Sequence, residues 1–193
     1  MPAIADSRIL IIATHGFEES ELIEPRDRLK AKGALVRIAA PQAGEIKAWR
    51  DQDWGQSVPV DLTLDAVKIG DYDALVLPGG QMNPDTLRIN DKALAIIKAF
   101  LDGGKVVAAI CHGPWLLIET GAVKGREVTS YVSIRTDVIN AGGRWVDRQV
   151  VADDGIVTSR HPGDLEAFVA KIIEEVESER APKRARTRDP QPA

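Results

Sequence analysis

The chain has one cysteine, two methionines and three histidines among its 193 residues. A lone thiol cannot close an internal disulfide, which excludes a secreted, cross-linked scaffold. One cysteine and scattered histidines form no cluster with metal-ligand spacing, so no metal site is expected. Aromatic residues are scarce at 5%, and the 44% hydrophobic share is carried mostly by Val, Ile, Leu and Ala. That balance suits an α/β protein with buried parallel strands. No apolar run approaches the ~20 residues of a membrane span. MPAIADSRIL lacks the basic and long apolar regions of a signal peptide, so a cytoplasmic location is expected. The glycines of VLPGG make no dinucleotide fingerprint, and no cofactor is expected.

Net charge is −4, unevenly placed. Residues 179–193 sum to +3, which leaves −7 on the rest. An acidic body argues against a nucleic-acid binder. The last stretch is rich in Arg and Pro and nearly devoid of apolar residues, so 178–193 is expected to be a disordered basic tail on a single domain spanning 1–177.

Short apolar runs alternate with amphipathic ones. RILIIAT (8–14), ALVRIAA (34–40), DYDALVLPGG (71–80) and KVVAAI (105–110) read as strands. Helices are expected over 15–33, with Pro25 near the first turns or at a kink, and over 91–104, 113–121, 133–143 and 164–179. Residues 41–57 read as a loop or short hairpin holding Trp49 and Trp54. Two further short strands flank the Asp-Asp-Gly turn near 153–155. Strand, helix, strand throughout predicts a doubly wound, mainly parallel sheet with helices on both faces. Ligands of such sheets bind beyond the carboxyl ends of the strands. Glu18, Gly79-Gly80 and Cys111-His112 all fall there.

Ile110-Cys111-His112-Gly113-Pro114 runs from strand straight into helix. Such an elbow forces its apex into a strained conformation and presents that side chain at the sheet edge. The following helix N-terminus favours an anion, which predicts a thiol pKa below that of free cysteine. The N–H of His112, with that of Gly79 or Gly80, would meet a developing oxyanion. A buried, inert cysteine is the competing reading.

The stretches AICHGPWLLIETG, VLPGGQMNPD, GFEESEL and VTSRHPGDLEAF resemble the ThiJ/PfpI family of the class I glutamine-amidotransferase-like superfamily, in its PfpI-type intracellular protease and stress-protein branch. The resemblance implies a flavodoxin-like fold, with Cys111 as nucleophile and His112 as the histidine that follows it. It implies that Glu18 is the acid hydrogen-bonded to the cysteine, and that Gly80 lies in the oxyanion loop. It further implies that Asp85 reaches the histidine of a neighbouring subunit in a homodimer or hexamer. Glu18 helps a thiolate only as a protonated donor or a proton carrier, since a like charge raises a thiol pKa. His15, after the first strand, is a candidate for lining the site. His161, before Pro162 and Asp164, stands where amidotransferases carry a catalytic histidine, but reads as a surface loop residue here.

The expected function is cofactor-free cysteine chemistry on a small carbonyl or peptide substrate. Glyoxalase or deglycase action comes first, because an aldehyde is a good electrophile and needs no leaving-group protonation. The alternatives are an intracellular cysteine peptidase, a redox sensor or chaperone built on the same thiol, and hydratase or amidotransferase chemistry in which His161 would matter.

Overall fold

The computed structural model describes residues 3–178. The basic segment expected from residue 178 onward lies, past Ser178, outside the described residues. In chain order the strands and helices are β1 (Arg8–Ile12), β2 (Phe17–Glu18), α1 (Glu19–Ala31), β3 (Leu35–Ala40), β4 (Glu45–Arg50), β5 (Asp53–Pro59), β6 (Leu62–Thr63), β7 (Ala74–Leu77), α2 (Met82–Leu87), α3 (Asp91–Asp102), β8 (Val106–Ile110), α4 (Pro114–Glu119), β9 (Glu127–Val128), α5 (Arg135–Asn140), β10 (Arg144–Trp145), β11 (Val150–Asp153), β12 (Ile156–Ser159) and α6 (Leu165–Glu177).

Seven strands make the central sheet in the order β11-β12-β8-β7-β1-β3-β6. Every pair is parallel except β11 with β12, which turns back through Asp154-Gly155. Successive strand residues feed opposite cores. Ile9, Ile11, Val76, Ala108 and Ile110 pack with Leu22 and Leu29 of α1 and Phe168 and Ile172 of α6. Leu10, Ile12, Leu75, Leu77 and Ala109 pack with Ile97 and Phe100 of α3, Leu116 of α4 and Val138 of α5. Burial on both faces is why these strands read as unbroken apolar runs rather than alternating ones. Among the described residues, no helix is long and apolar enough to cross a membrane.

Of the two readings of 41–57, loop or short hairpin, the structure shows the hairpin; its extra sheet and the later start of α1 are what the sequence did not show. The 41–57 excursion is a β4–β5 hairpin, which β2 joins in parallel to give a separate three-stranded sheet. That sheet takes Phe17 and Glu18, so α1 starts at Glu19 rather than in the mid-teens. Pro25 lies inside α1 with its ring buried. It removes one N–H from the helix ladder, the one that would bond the Glu21 carbonyl. The carboxyl ends of β1, β7 and β8 meet at one edge of the central sheet, and α1, α2 and α4 depart from there.

Candidate active site

Cys111 follows β8 directly and has φ 61°. A side chain in this left-handed region costs about 1–2 kcal/mol. The backbone enforces the geometry. The Cys111 N–H bonds the Ser159 carbonyl at 3.1 Å, its carbonyl accepts from Tyr131 N–H at 2.9 Å, and Gly113 N–H returns to the Ile110 carbonyl at 2.8 Å. A Cβ at Gly113 would lie 2.6 Å from the Leu77 carbonyl oxygen. The turn can therefore close only on glycine. The thiol is nearly buried, at 7% exposure.

The acid beside this thiol is Glu21, not Glu18. Glu21 is fully buried on α1 and converges with Cys111 on Gly79, where a Cβ would lie 2.5 Å from Glu21 Oε2 and 2.7 Å from Cys111 Cβ. Glu21 Oε2 accepts from Gly79 N–H at 2.8 Å, and its Oε1 is buried with no hydrogen-bonding partner. Burial first, and then the charge of Glu18, push the Glu21 carboxyl up to about 8, against the pull of the Gly79 N–H. Glu18 sits at the N-terminus of α1, half-buried, with Ser20 Oγ donating to its Oε1 at 3.3 Å. Burial raises its carboxyl, Ser20 opposes that, and the charge of Asp51 raises it further. The helix register explains the difference: Glu21 falls in the buried stripe with Leu22, Pro25 and Leu29. Spacing of four and eight residues from Pro25 and Leu29 could have singled it out.

The low thiol pKa expected from the helix N-terminus does not survive either. Burial pushes the Cys111 thiol up and Glu21 adds to this, while the N–H groups of Gly80 and His112 pull partly back. Thiol and carboxyl form a coupled pair. Burial makes each group hold its proton to a higher pH than it would in water. The unpartnered Oε1 fits a carboxyl held neutral, since a buried carboxylate oxygen without a donor is costly.

Gly79 does not supply an oxyanion donor, because its N–H is committed to Glu21. Gly80, with φ 76°, presents its N–H to the thiol, as does His112. A Cβ at Gly80 would lie 2.5 Å from the Gly16 carbonyl oxygen. His112 Nδ1 lies 3.2 Å from Cys111 Sγ, and its Nε2 lies 3.1 Å from Ser133 Oγ. Its ring stacks on Tyr131 and meets the edge of Trp115. Burial lowers its pKa, opposed by the charge of Asp137, so the imidazole is neutral at pH 7.

Cys111, His112, Glu18, Glu21 and Gly80 line one cavity of about 560 Å³ with Gly16, Trp49, Asp51, Gln81, Met82, Tyr131 and Pro162. A second space of about 480 Å³ adjoins it, sharing Glu18, Asp51 and Pro162. The other candidates lie outside this set. His15 is exposed, and its Nδ1 accepts from Lys47 N–H, which fastens the hairpin. His161 Nδ1 accepts from Gly163 N–H within its own loop, while Asp164 is held by Arg160. Asp85 is exposed on α2 and does not meet His112 of its own chain. Sequence reasoning missed Glu21, Ser133, Tyr131 and the hairpin residues Trp49 and Asp51.

A strained thiol at the carboxyl edge of a parallel sheet defines the α/β enzymes built around an elbow nucleophile. The chain belongs to one family of that class, the DJ-1/PfpI family, whose model matches residues 7–175. It is similar to Deglycase PfpI of Pyrococcus furiosus, 48% identical over 86% of this chain and 97% of that protein. It is also similar to Protein/nucleic acid deglycase 2 of Escherichia coli, at 41% identity over 83% of this chain and 92% of that one. Among solved structures, Drosophila melanogaster DJ-1beta superposes with a TM-score of 0.80 at 32% identity, covering 89% of this chain and 90% of that one.

Proposed function

We propose that this chain is a cofactor-free, cysteine-dependent enzyme acting on reactive carbonyls such as methylglyoxal, glyoxal and their early adducts with amines. The observation that carries the reading is Cys111 held at φ 61° beside Glu21, with two main-chain N–H groups aimed at its sulfur. The deglycase names of the relatives support it.

In this reading the Cys111 sulfur bonds to the aldehyde carbon, and Glu21 takes the thiol proton. The carbonyl oxygen, now bearing the charge, accepts from the N–H groups of Gly80 and His112. Glu21 hands that proton to the charged oxygen, completing the hemithioacetal. Only then does it take the C–H proton from the attacked carbon and deliver it to the neighbouring carbon, while the hydroxyl proton passes from the first oxygen to the second; the product is a 2-hydroxyacyl thioester. Water cleaves that thioester and restores the thiol. His112, neutral and bonded to Ser133, orients the sulfur and takes or returns a proton at Nδ1.

Cavity charge narrows the substrate. Glu18 and Asp51 line it, and among the described residues no Lys or Arg does. Carbonyl adducts on an amine or guanidinium are favoured over those on a phosphate-bearing nucleotide. The adjoining space supports a second reading, a peptidase, because together the two spaces take more than one residue.

The test is a panel of methylglyoxal, glycated arginine, a glycated nucleotide and short peptides, run on wild type and Cys111→Ala. Carbonyl turnover lost in the variant supports the proposal. Peptide cleavage without carbonyl turnover transfers the site to the peptidase.

The resemblance also supports a single domain over 1–177, a cytoplasmic location, and a homodimer or hexamer in which Asp85 approaches the His112 of a neighbour. Mixing inactive Asp85→Ala with inactive Cys111→Ala subunits should then restore part of the activity. No recovery, with subunit exchange confirmed, would reduce Asp85 to a surface residue.

A further inference from the structure

Asn83, the second residue of α2, is fully buried although it is polar, and its side-chain hydrogen bonds all go to main chain. Its Oδ1 accepts from Thr14 N–H at 2.8 Å. Its Nδ2 donates to the Pro78 carbonyl at 3.0 Å and to the Gly79 carbonyl at 3.2 Å. The amide orientation is unambiguous, because an N–H must meet an oxygen and carbonyls must meet the NH₂.

Those two carbonyls belong to the two peptide groups that serve the thiol site. In a planar trans peptide the C=O and the following N–H point in opposite directions. Fixing the Pro78 carbonyl on Asn83 therefore aims the Gly79 N–H the other way, where it bonds Glu21 Oε2. Fixing the Gly79 carbonyl aims the Gly80 N–H the other way, toward Cys111. The peptide between two glycines is the easiest in a chain to rotate, since neither flanking residue has a Cβ to resist. Rotated by half a turn, it would turn the Gly79 carbonyl oxygen toward the sulfur and remove the donor. Glu18 N–H, at 3.3 Å from the same carbonyl, is the second restraint, and it is a long one.

We propose that Asn83 is the positioning residue that latches the Gly79–Gly80 peptide with its N–H facing Cys111, and so keeps the oxyanion site assembled before substrate arrives. It touches neither thiol nor substrate. The proposal rests on Cys111 being the reactive group, and its test separates that premise from the latch. Asn83→Ala removes both donors. Asn83→Asp keeps the acceptor for Thr14 but sets oxygen against both carbonyls. Leu29→Ala, in the core beneath α1, is a control that lowers stability by a cavity alone.

Each protein is titrated by iodoacetamide labelling of Cys111 against pH, which needs no turnover, and then assayed with methylglyoxal. The expected result is an upward move of the labelling midpoint in both Asn83 variants and none in Leu29→Ala. Turnover should fall about 10–100-fold in kcat with KM nearly unchanged, the pattern of a lost oxyanion donor. If Asn83→Ala does not fold, Asn83→Asp carries the same readout. Labelling curves that superimpose on wild type in a folded Asn83 variant would overturn the latch. If wild type labels at Cys111 yet turns over no carbonyl, the assigned function fails while the labelling shift still decides the latch.

Discussion

Two residues of this cavity share a backbone conformation and almost nothing else. Cys111 has φ 61° and Asp51 has φ 56°. Asp51 stands at the exposed turn of the β4–β5 hairpin, where a left-handed residue is the ordinary solution and Asp is among the side chains that accept it. Cys111 is buried, has no such affinity for that region, and is held there by main-chain bonds to two other segments, at Ser159 and Tyr131. The same angle is local and inexpensive in one place, and imposed from outside in the other. Strain becomes informative only with burial and with the groups the strained residue faces. Asp154, at φ 52° in the β11–β12 turn, is a second case of the inexpensive kind.

The largest effect expected from breaking the comparison is at Cys111. Cys111→Ala and Cys111→Gly should both lose carbonyl turnover by 10³-fold or more. In thermal unfolding the Gly variant should be the more stable of the two by about 1 kcal/mol, the reverse of their order in a helix or strand. Ala equal to or above Gly would mean that the elbow carries no strain.

Next comes Glu21, which decides when the strained thiol is usable. Activity of wild type should rise with pH through about 8, as the thiol–carboxyl pair gives up its first proton. Glu21→Gln should cost 10²–10⁴-fold. Stability runs the opposite way. The folded carboxyl holds its proton above the ordinary 4.5, so its stabilising contribution is complete below pH 4.5 and is lost as pH climbs toward about 8. The slope is at most about 1.4 kcal/mol per pH unit for one proton. Glu21→Gln should flatten that slope in denaturant titrations across pH 5–8. A slope unchanged by the substitution would assign the proton to another group.

The smallest effect is at Asp51. Asp51→Asn should raise KM for a glycated arginine by up to about five-fold and leave methylglyoxal unchanged, because an exposed charge contributes about 1 kcal/mol or less. The difference should shrink in 1 M salt. Equal changes for charged and neutral substrates would make the hairpin turn a steric wall rather than an electrostatic one.

The central sheet and its elbow were legible in the sequence because their causes are local. Uniform apolar runs such as VVAAI need cover on both faces, and a strand meeting Gly-Pro within three residues has few ways to turn. The parts that escaped depend on tertiary partners. Which of three acids in GFEESEL meets the thiol depends on where α1 begins, and that depends on Phe17 and Glu18 being drawn into the hairpin's sheet. Gly79 and Gly80 read as equivalent donors. Their N–H groups are sorted, one to Glu21 and one to Cys111, by an asparagine that looks in sequence like part of a turn before Pro84.

The close approach of main chain at Gly80 and Gly113 has a consequence for how this site varies between relatives. In the proposed mechanism the donors that receive the carbonyl oxygen are the peptide N–H groups of Gly80 and His112, set in place by the close-packed glycines at 80 and 113, so no side chain encodes them. What the chain must preserve there is vacancy, a space too small for one methyl group at either position. Drift that swaps one functional group for another cannot reach these donors, whereas drift that adds a single carbon can. Half of the chemistry is therefore inherited as a restriction on size, and the mouth of the cavity, built on a separate hairpin, is left free to change its preferences around it.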